Sequence, residues 1–129
     1  MSKQSIEQSA QESVENLNTN LPKVFIGNMS GHDFSDSARY GDPIYITKGE
    51  LDRFAVGYMA RRWMKKLLDS NKEDFILITS LTNLSCIGCA IFGWIHGRLN
   101  LLMFRNNKYI SRTIVFDQLL QSEKEAHDE

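Results

Sequence analysis

Apolar positions along the chain change their spacing several times, and each change predicts an element. From Lys23 the run KVFIGN is β-branched and aromatic with no charge in its interior, as in a buried strand. Residues 29–41 (MSGHDFSDSARYG) are polar, glycine-punctuated and too many for a hairpin turn. A second strand is predicted over 44–47, opened by Pro43 and closed by Lys48-Gly49. Over 50–68 the period becomes helical: Val56, Met59, Ala60, Trp63 and Leu67 share one face, with Arg61, Arg62, Lys65 and Lys66 largely off it. Asp69-Ser70-Asn71 breaks that pattern, and 75–79 (FILIT) is a continuous apolar run of the kind found where both faces of a strand are covered. A second helix is predicted over 83–96. Its small residues Ser85, Gly88, Cys89, Ala90 and Gly93 let it lie close on a sheet, and Gly97 suits its C-terminal cap. Residues 99–104 form another apolar strand and Arg105-Asn106-Asn107-Lys108 a turn. Ile110, Ile114 and Phe116 then alternate roughly with Ser111, Arg112 and Thr113, as in a half-exposed edge strand.

The order strand, strand, helix, strand, helix, strand, strand predicts an α/β fold. The expected architecture is a small Rossmann-like three-layer domain over 23–116, with a mainly parallel sheet and a C-terminal β-hairpin. Right-handed crossovers limit the strand order without choosing it. Before the domain, 1–22 form a polar arm in which Ile6, Ala10, Val14, Leu17 and Leu21 make a thin apolar stripe. Its Ser, Gln and Asn content makes such a helix marginal alone, so it is either frayed or docked on another subunit. After the domain, 117–129 read as an acidic tail.

With 129 residues, 42% of them hydrophobic, the chain supports one core and not two. No run of about 18 apolar residues occurs, and the polar, acidic start is unlike a secretory signal, so no membrane partner is expected. Two cysteines three residues apart cannot staple a scaffold, which points to a reducing cytoplasm. The net charge of −1 hides a division: residues 23–116 hold 13 basic against 8 acidic side chains, between acidic ends. That surplus is either an ordinary solvated surface or a field that attracts an anionic ligand. It lacks the dense Lys/Arg stripes of a duplex binder, which argues against nucleic acid as the partner.

In open parallel sheets ligands bind beyond the carboxyl ends of the strands, so the loops leaving strands carry most weight. After the first strand, Asn28, Ser30, Gly31, His32, Asp33 and Asp36 place hydroxyls, a histidine and two acids in one short stretch. Backbone N–H groups there could cradle a phosphate, the acids could accept ribose hydroxyls, and His32 could act as acid or base. The alternative is that Asp33, Ser35 and Asp36 cap a short helical turn toward Tyr40. After the third strand, Ser80, Thr82 and Asn83 stand where the second helix begins, a position equally suited to an N-cap and to an anion. Arg39 or Arg53 would neutralise charge, and Phe34, Tyr40 or Tyr45 would stack on a base. Neither GxxxxGK[ST] nor GxGxxG occurs, which disfavours ATP and NAD; no cofactor is expected.

Cys86-Ile87-Gly88-Cys89 matches C-x-x-C, but both prolines, Pro22 and Pro43, lie upstream, and His96 adds only a third metal ligand. Buried packing thiols are the expected reading. His96 is expected as a cation at a helix C-terminus, and Trp63 and Trp94 as core or subunit contacts.

The segments VFIGNMSGHDFSD and ILITSLTN, each following a strand, resemble those of compact Rossmann-like nucleotide-recognition domains of bacteria and phages, over about 80 residues. The second is similar in layout to CRISPR-associated Rossmann sensor domains, which bind cyclic oligonucleotides, without their usual glycines. Nucleoside deoxyribosyltransferases and TIR-type hydrolases share the layout but use a Glu nucleophile. Here Glu50 and Glu73 precede a helix and a strand, so the resemblance implies binding over glycosidic cleavage. The expected function is binding of a nucleotide-derived small molecule, to sense or sequester a signalling nucleotide. The alternatives are a nucleotide or nucleoside enzyme using His32 and Asp33 as acid and base, and an assembly protein without a ligand. A body of about 94 residues with two tryptophans on helices also predicts a homo-oligomer.

Overall fold

The computed structural model describes residues 21–29 and 32–127. Among these residues the order is β1 (Lys23–Met29), a 3-10 helix (Ser35–Arg39), β2 (Asp42–Lys48), α1 (Val56–Leu67), β3 (Phe75–Leu77), α2 (Thr82–His96), β4 (Arg98–Arg105), β5 (Lys108–Val115) and α3 (Phe116–His127). The strands form one sheet in the order β2-β1-β3-β4-β5. β1 pairs parallel with β2 and β3, β3 pairs parallel with β4, and β5 pairs antiparallel with β4. The chain is therefore α/β with a mostly parallel sheet, as the alternation of periods predicts.

Crossover handedness explains how the faces are covered. The steps β2–α1–β3 and β3–α2–β4 cross the sheet in one direction and β1 to β2 in the other, so right-handed connections put α1 and α2 on one face and the 3-10 helix on the opposite one. Phe25, Ile46 and Ile76 of the sheet bury against Met59, Trp63 and Leu67 of α1 and Leu84 and Phe92 of α2. Their neighbours in the pleat, Val24, Ile26 and Leu77, join Leu102 and Tyr109 on the second face, under Phe34 and Tyr40. Small residues in α2 act as the sequence suggests at one decisive point: a Cβ on Gly88 would stand 2.4 Å from Trp63 Cζ2, so only glycine lets the two helices close over the indole. Gly97, in the left-handed region at φ +69°, ends α2.

Four expectations are modified. The predicted helix over 50–68 begins only at Val56, because Asp52 organises a turn: its Oδ1 accepts Phe54 N at 2.9 Å and its carbonyl accepts Ala55 N at 3.0 Å. β3 ends at Leu77 and not at 79, although Ile78 N still donates to Leu102 O at 2.9 Å. The antiparallel pair β4–β5 turns through Asn106 and Asn107, both at positive φ, but it is not C-terminal. The segment read as an acidic tail is helical from Phe116 to His127, with none of its residues buried. Of the arm over 1–22, residues 1–20 lie outside the described residues.

A polar belt closes the amino ends of the strands. Buried Asp74 accepts Lys23 N at 2.9 Å and Asn71 N at 2.7 Å. Buried Asn100 donates to the carbonyls of Lys72 and Asp74 and accepts from Thr113 Oγ1. His96 Nε2 lies 2.7 Å from Ser70 Oγ, whose own hydrogen goes to Leu67 O at 2.6 Å, so the imidazole N–H is the donor. Burial pulls the His96 pKa below its ordinary 6.5, against Asp74 and with the help of Arg98, so the side chain is neutral at pH 7 and not the expected cation. The unfolded chain thus binds the proton first. The stabilisation from neutral His96 is complete above 6.5 and is lost as pH falls through the lowered folded value. Urea midpoints of wild type will fall between about pH 7.5 and about pH 5.5 more steeply than those of His96→Gln; equal slopes would remove this role from His96.

Candidate functional site

The chain leaves β1 toward β2 on one side and enters β3 on the other, so the exit loops of β1 and β3 diverge at the carboxyl edge of the sheet. The divergence opens a cavity of about 270 Å³ lined by Asn28, His32, Gly49, Leu51, Thr79, Ser80 and Leu81. It shares Leu51, Ser80 and Leu81 with a pocket of about 150 Å³, which adds Arg53, Met59, Thr82, Asn83 and Leu84. Together they form one cleft running from the end of β1 to the start of α2.

Asn28 is buried and fixes the floor. Its Nδ2 donates to Gly49 O at 3.0 Å, while Thr47 Oγ1 lies 2.9 Å from Asn28 Oδ1 and 2.8 Å from Gly27 O. These bonds hold the exits of β1 and β2 together. At the other wall, the Thr79 and Ser85 hydroxyls lie 3.3 Å apart, and Thr79 Oγ1 accepts Leu81 N at 3.4 Å, which shapes the Ser80-Leu81 turn. α2 starts at Thr82 without a side-chain cap. Asn83, one of the residues expected to cap, instead donates through Nδ2 to Arg53 O at 2.8 Å and ties the loop before α1 to the helix start. Among the described residues the first-turn N–H groups of α2 have no side-chain acceptor, and they stand at the positive end of the helix dipole.

The candidate residues divide into groups. Asn28, His32, Arg53, Ser80, Thr82 and Asn83 all line the cleft. Asp33 lies in an adjoining shallow depression with His32, Phe34 and Tyr45, and its Oδ1 accepts Ser35 N at 2.9 Å, as in the capping alternative. Hydrogen bonds from Ser35 hold its carboxyl below the usual 3.8. Asp36 and Arg39 are engaged elsewhere. Asp36 Oδ2 accepts Tyr109 N at 2.7 Å, Arg39 Nη2 donates to Tyr109 O, and Tyr40 donates to the same carbonyl at 2.8 Å. The Tyr109 N–H bond is the main reason the Asp36 carboxyl also sits below 3.8, and the ion pair with Arg39, at 3.4 Å, adds to it. This clamp fastens the 3-10 helix to β5. Ser30 and Gly31 lie outside the described residues.

Sequence reasoning missed Leu51, which belongs to both parts of the cleft, and Gly49. Gly49 and Leu51 come from the exit of β2, a third strand-exit loop hidden because 50–55 read as the start of a helix. Phe54, next to Arg53, is 81% exposed and is the most exposed large apolar side chain described. Cys86 is exposed and Cys89 only half-buried, so packing explains the pair in part. Burial pushes the Cys89 thiol up to about 11, the opposite of an activated redox cysteine. Among the described residues no three His, Cys, Asp or Glu side chains gather as for a metal, and no helix is long and apolar enough to cross a membrane. Comparison with protein-family models, with curated proteins and with solved structures gives no match.

Proposed function

We propose that this chain is a small Rossmann-like, three-layer binding protein for a nucleotide-derived small molecule, seated in the cleft between the exits of β1 and β3. One observation carries the reading: the start of α2, without a side-chain cap, opens on a cleft at the point where the sheet connections diverge. A phosphate would take the free N–H groups of α2 with Ser80 and the Arg53 cation. The wider part, beside Asn28 and His32, would hold the sugar and base. The basic surplus of 23–116 favours capture of such an anion. We extend the proposal to sensing or sequestering a signalling nucleotide in bacterial or phage immunity, inside the cytoplasm, supported by the resemblance of VFIGNMSGHDFSD and ILITSLTN to Rossmann-like nucleotide-recognition domains and by the two closely spaced cysteines. The enzymatic alternative gains less support, because Asp33 is bonded to Ser35 and no hydrogen bond joins it to His32 among the described residues.

Native mass spectrometry of protein purified from cells, followed by denaturation, will release a nucleotide-derived compound at stoichiometric amount. Arg53→Glu and Ser80→Asp will each weaken its binding by at least about tenfold. Asp36→Ala, which removes only the clamp on β5, will leave the affinity unchanged. A clean apo-protein with no thermal shift in a panel of nucleotides and cyclic nucleotides would sink the proposal.

A further inference from the structure

The end of the molecule opposite β2 carries apolar surface that its own fold does not cover. Leu119 and Leu120 of α3 are 54% and 55% exposed, Phe116 is 37% exposed, and Trp94 of α2 is 79% exposed. A 12-residue helix with nothing buried is marginal in water by itself, and Phe116, Leu119 and Leu120 follow the i, i+3, i+4 spacing of a face that expects a partner.

Beside that helix runs an open strand edge. The other edge, β2, is guarded where Pro43 removes a donor. On β5 the outward groups of Tyr109 are taken by the clamp from the 3-10 helix. Alternation along an antiparallel strand turns the backbone of Ser111, Thr113 and Val115 outward as well. Of these, Ser111 O is taken by the side chain of its neighbour Arg112, and Val115 O lies at the first turn of α3.

Charge selects the occupant. Arg105, Lys108 and Arg112 stand at or near the start of β5, and Asp117, Glu123 and Glu125 lie on the helix that leaves its end. None of these six is in an ion pair; among the described residues the ion pair found is Arg39 with Asp36. Antiparallel pairing of two identical strands sets the end of one beside the start of the other, so the acidic helix of each copy meets the basic start of its mate.

We propose that β5 and α3 form a two-fold interface with a second copy of this chain, joining two five-stranded sheets edge to edge. A dyad at Thr113 pairs Ser111 with Val115 and sets Arg112 across from Ile114 of the second copy, so no like charges oppose each other. Trp94 and the Leu119-Leu120 face then close over the joint.

Light scattering on the full chain at about 100 μM, where any dimer with a micromolar Kd is fully formed, will give twice the 14.8 kDa chain mass. The double variant Leu119→Asp, Leu120→Asp will weaken association by at least about a hundredfold, which at about 100 μM leaves at least about half of the chains monomeric. It replaces no buried residue, so its thermal unfolding will stay cooperative. Arg105→Glu with Lys108→Glu will be monomeric alone and will recover a dimer when mixed with Asp117→Lys, Glu123→Lys. A wild-type monomer, a Leu119→Asp, Leu120→Asp variant that stays dimeric, or a mixture that does not recover would each overturn the proposal.

Discussion

Trp63→Ala will destabilise the protein by about 3–5 kcal/mol, read as a lower urea midpoint at unchanged slope. Trp63 is fully buried and heads the large side chains of the core. It lies between α1 and α2, with Met59, Leu67, Leu84 and Phe92 in the same cluster. Removing the indole empties a volume that two helices and a sheet cannot all collapse into. A domain of this size commonly has about 5–15 kcal/mol to lose, so the variant will populate unfolded chains at modest temperature. The indole Nε1 finds no hydrogen-bond partner among the described residues. Trp63→Phe therefore removes an unsatisfied donor along with some volume and will cost about 1 kcal/mol. If alanine and phenylalanine prove equally damaging, cavity formation is not the cause.

Asp74→Ala will cost about 2–4 kcal/mol, from two donors left without acceptors. Its carboxylate takes the N–H groups of Lys23, where β1 begins, and Asn71, in the turn before β3, so one side chain fixes the start of two neighbouring strands. Asp74→Asn keeps one acceptor oxygen and will recover part of the loss. Asp74 lies at the amino ends of the strands, so ligand affinity at the opposite edge will survive in whatever fraction remains folded. A change in affinity without a change in stability would contradict the position given to it.

Elements with a strong internal period are legible in the sequence. The apolar strands at 23–28 and 99–104 and the second helix come within a residue or two, because a strand covered on both faces and a helix packed on small residues each leave a local pattern. The start of α1 did not, since the Asp52 turn lies within an amphipathic stretch whose period continues through it. The terminal helix was missed because nothing in it is buried, and its acidic residues read equally well as a solvated tail. At the candidate site, two of the three exit loops stood out by composition. Asp33, Asp36 and Arg39 carried the chemistry of a cap, a clamp or a ligand alike. What separates these roles is whether Tyr109, 73 residues beyond Asp36, comes within reach, and a local window holds no trace of that.

The seat of Trp63 ties two positions into one unit of inheritance. A Cβ on Gly88 would press into the indole, 2.4 Å from its Cζ2. A side chain at 88 is unfavourable until the aromatic at 63 has changed. Descendants of this sequence will therefore change a side chain at 88 and the aromatic at 63 together, and lineages that keep the tryptophan will keep the glycine. That coupled drift would mark a true relative of this fold even where the residues of the cleft had diverged.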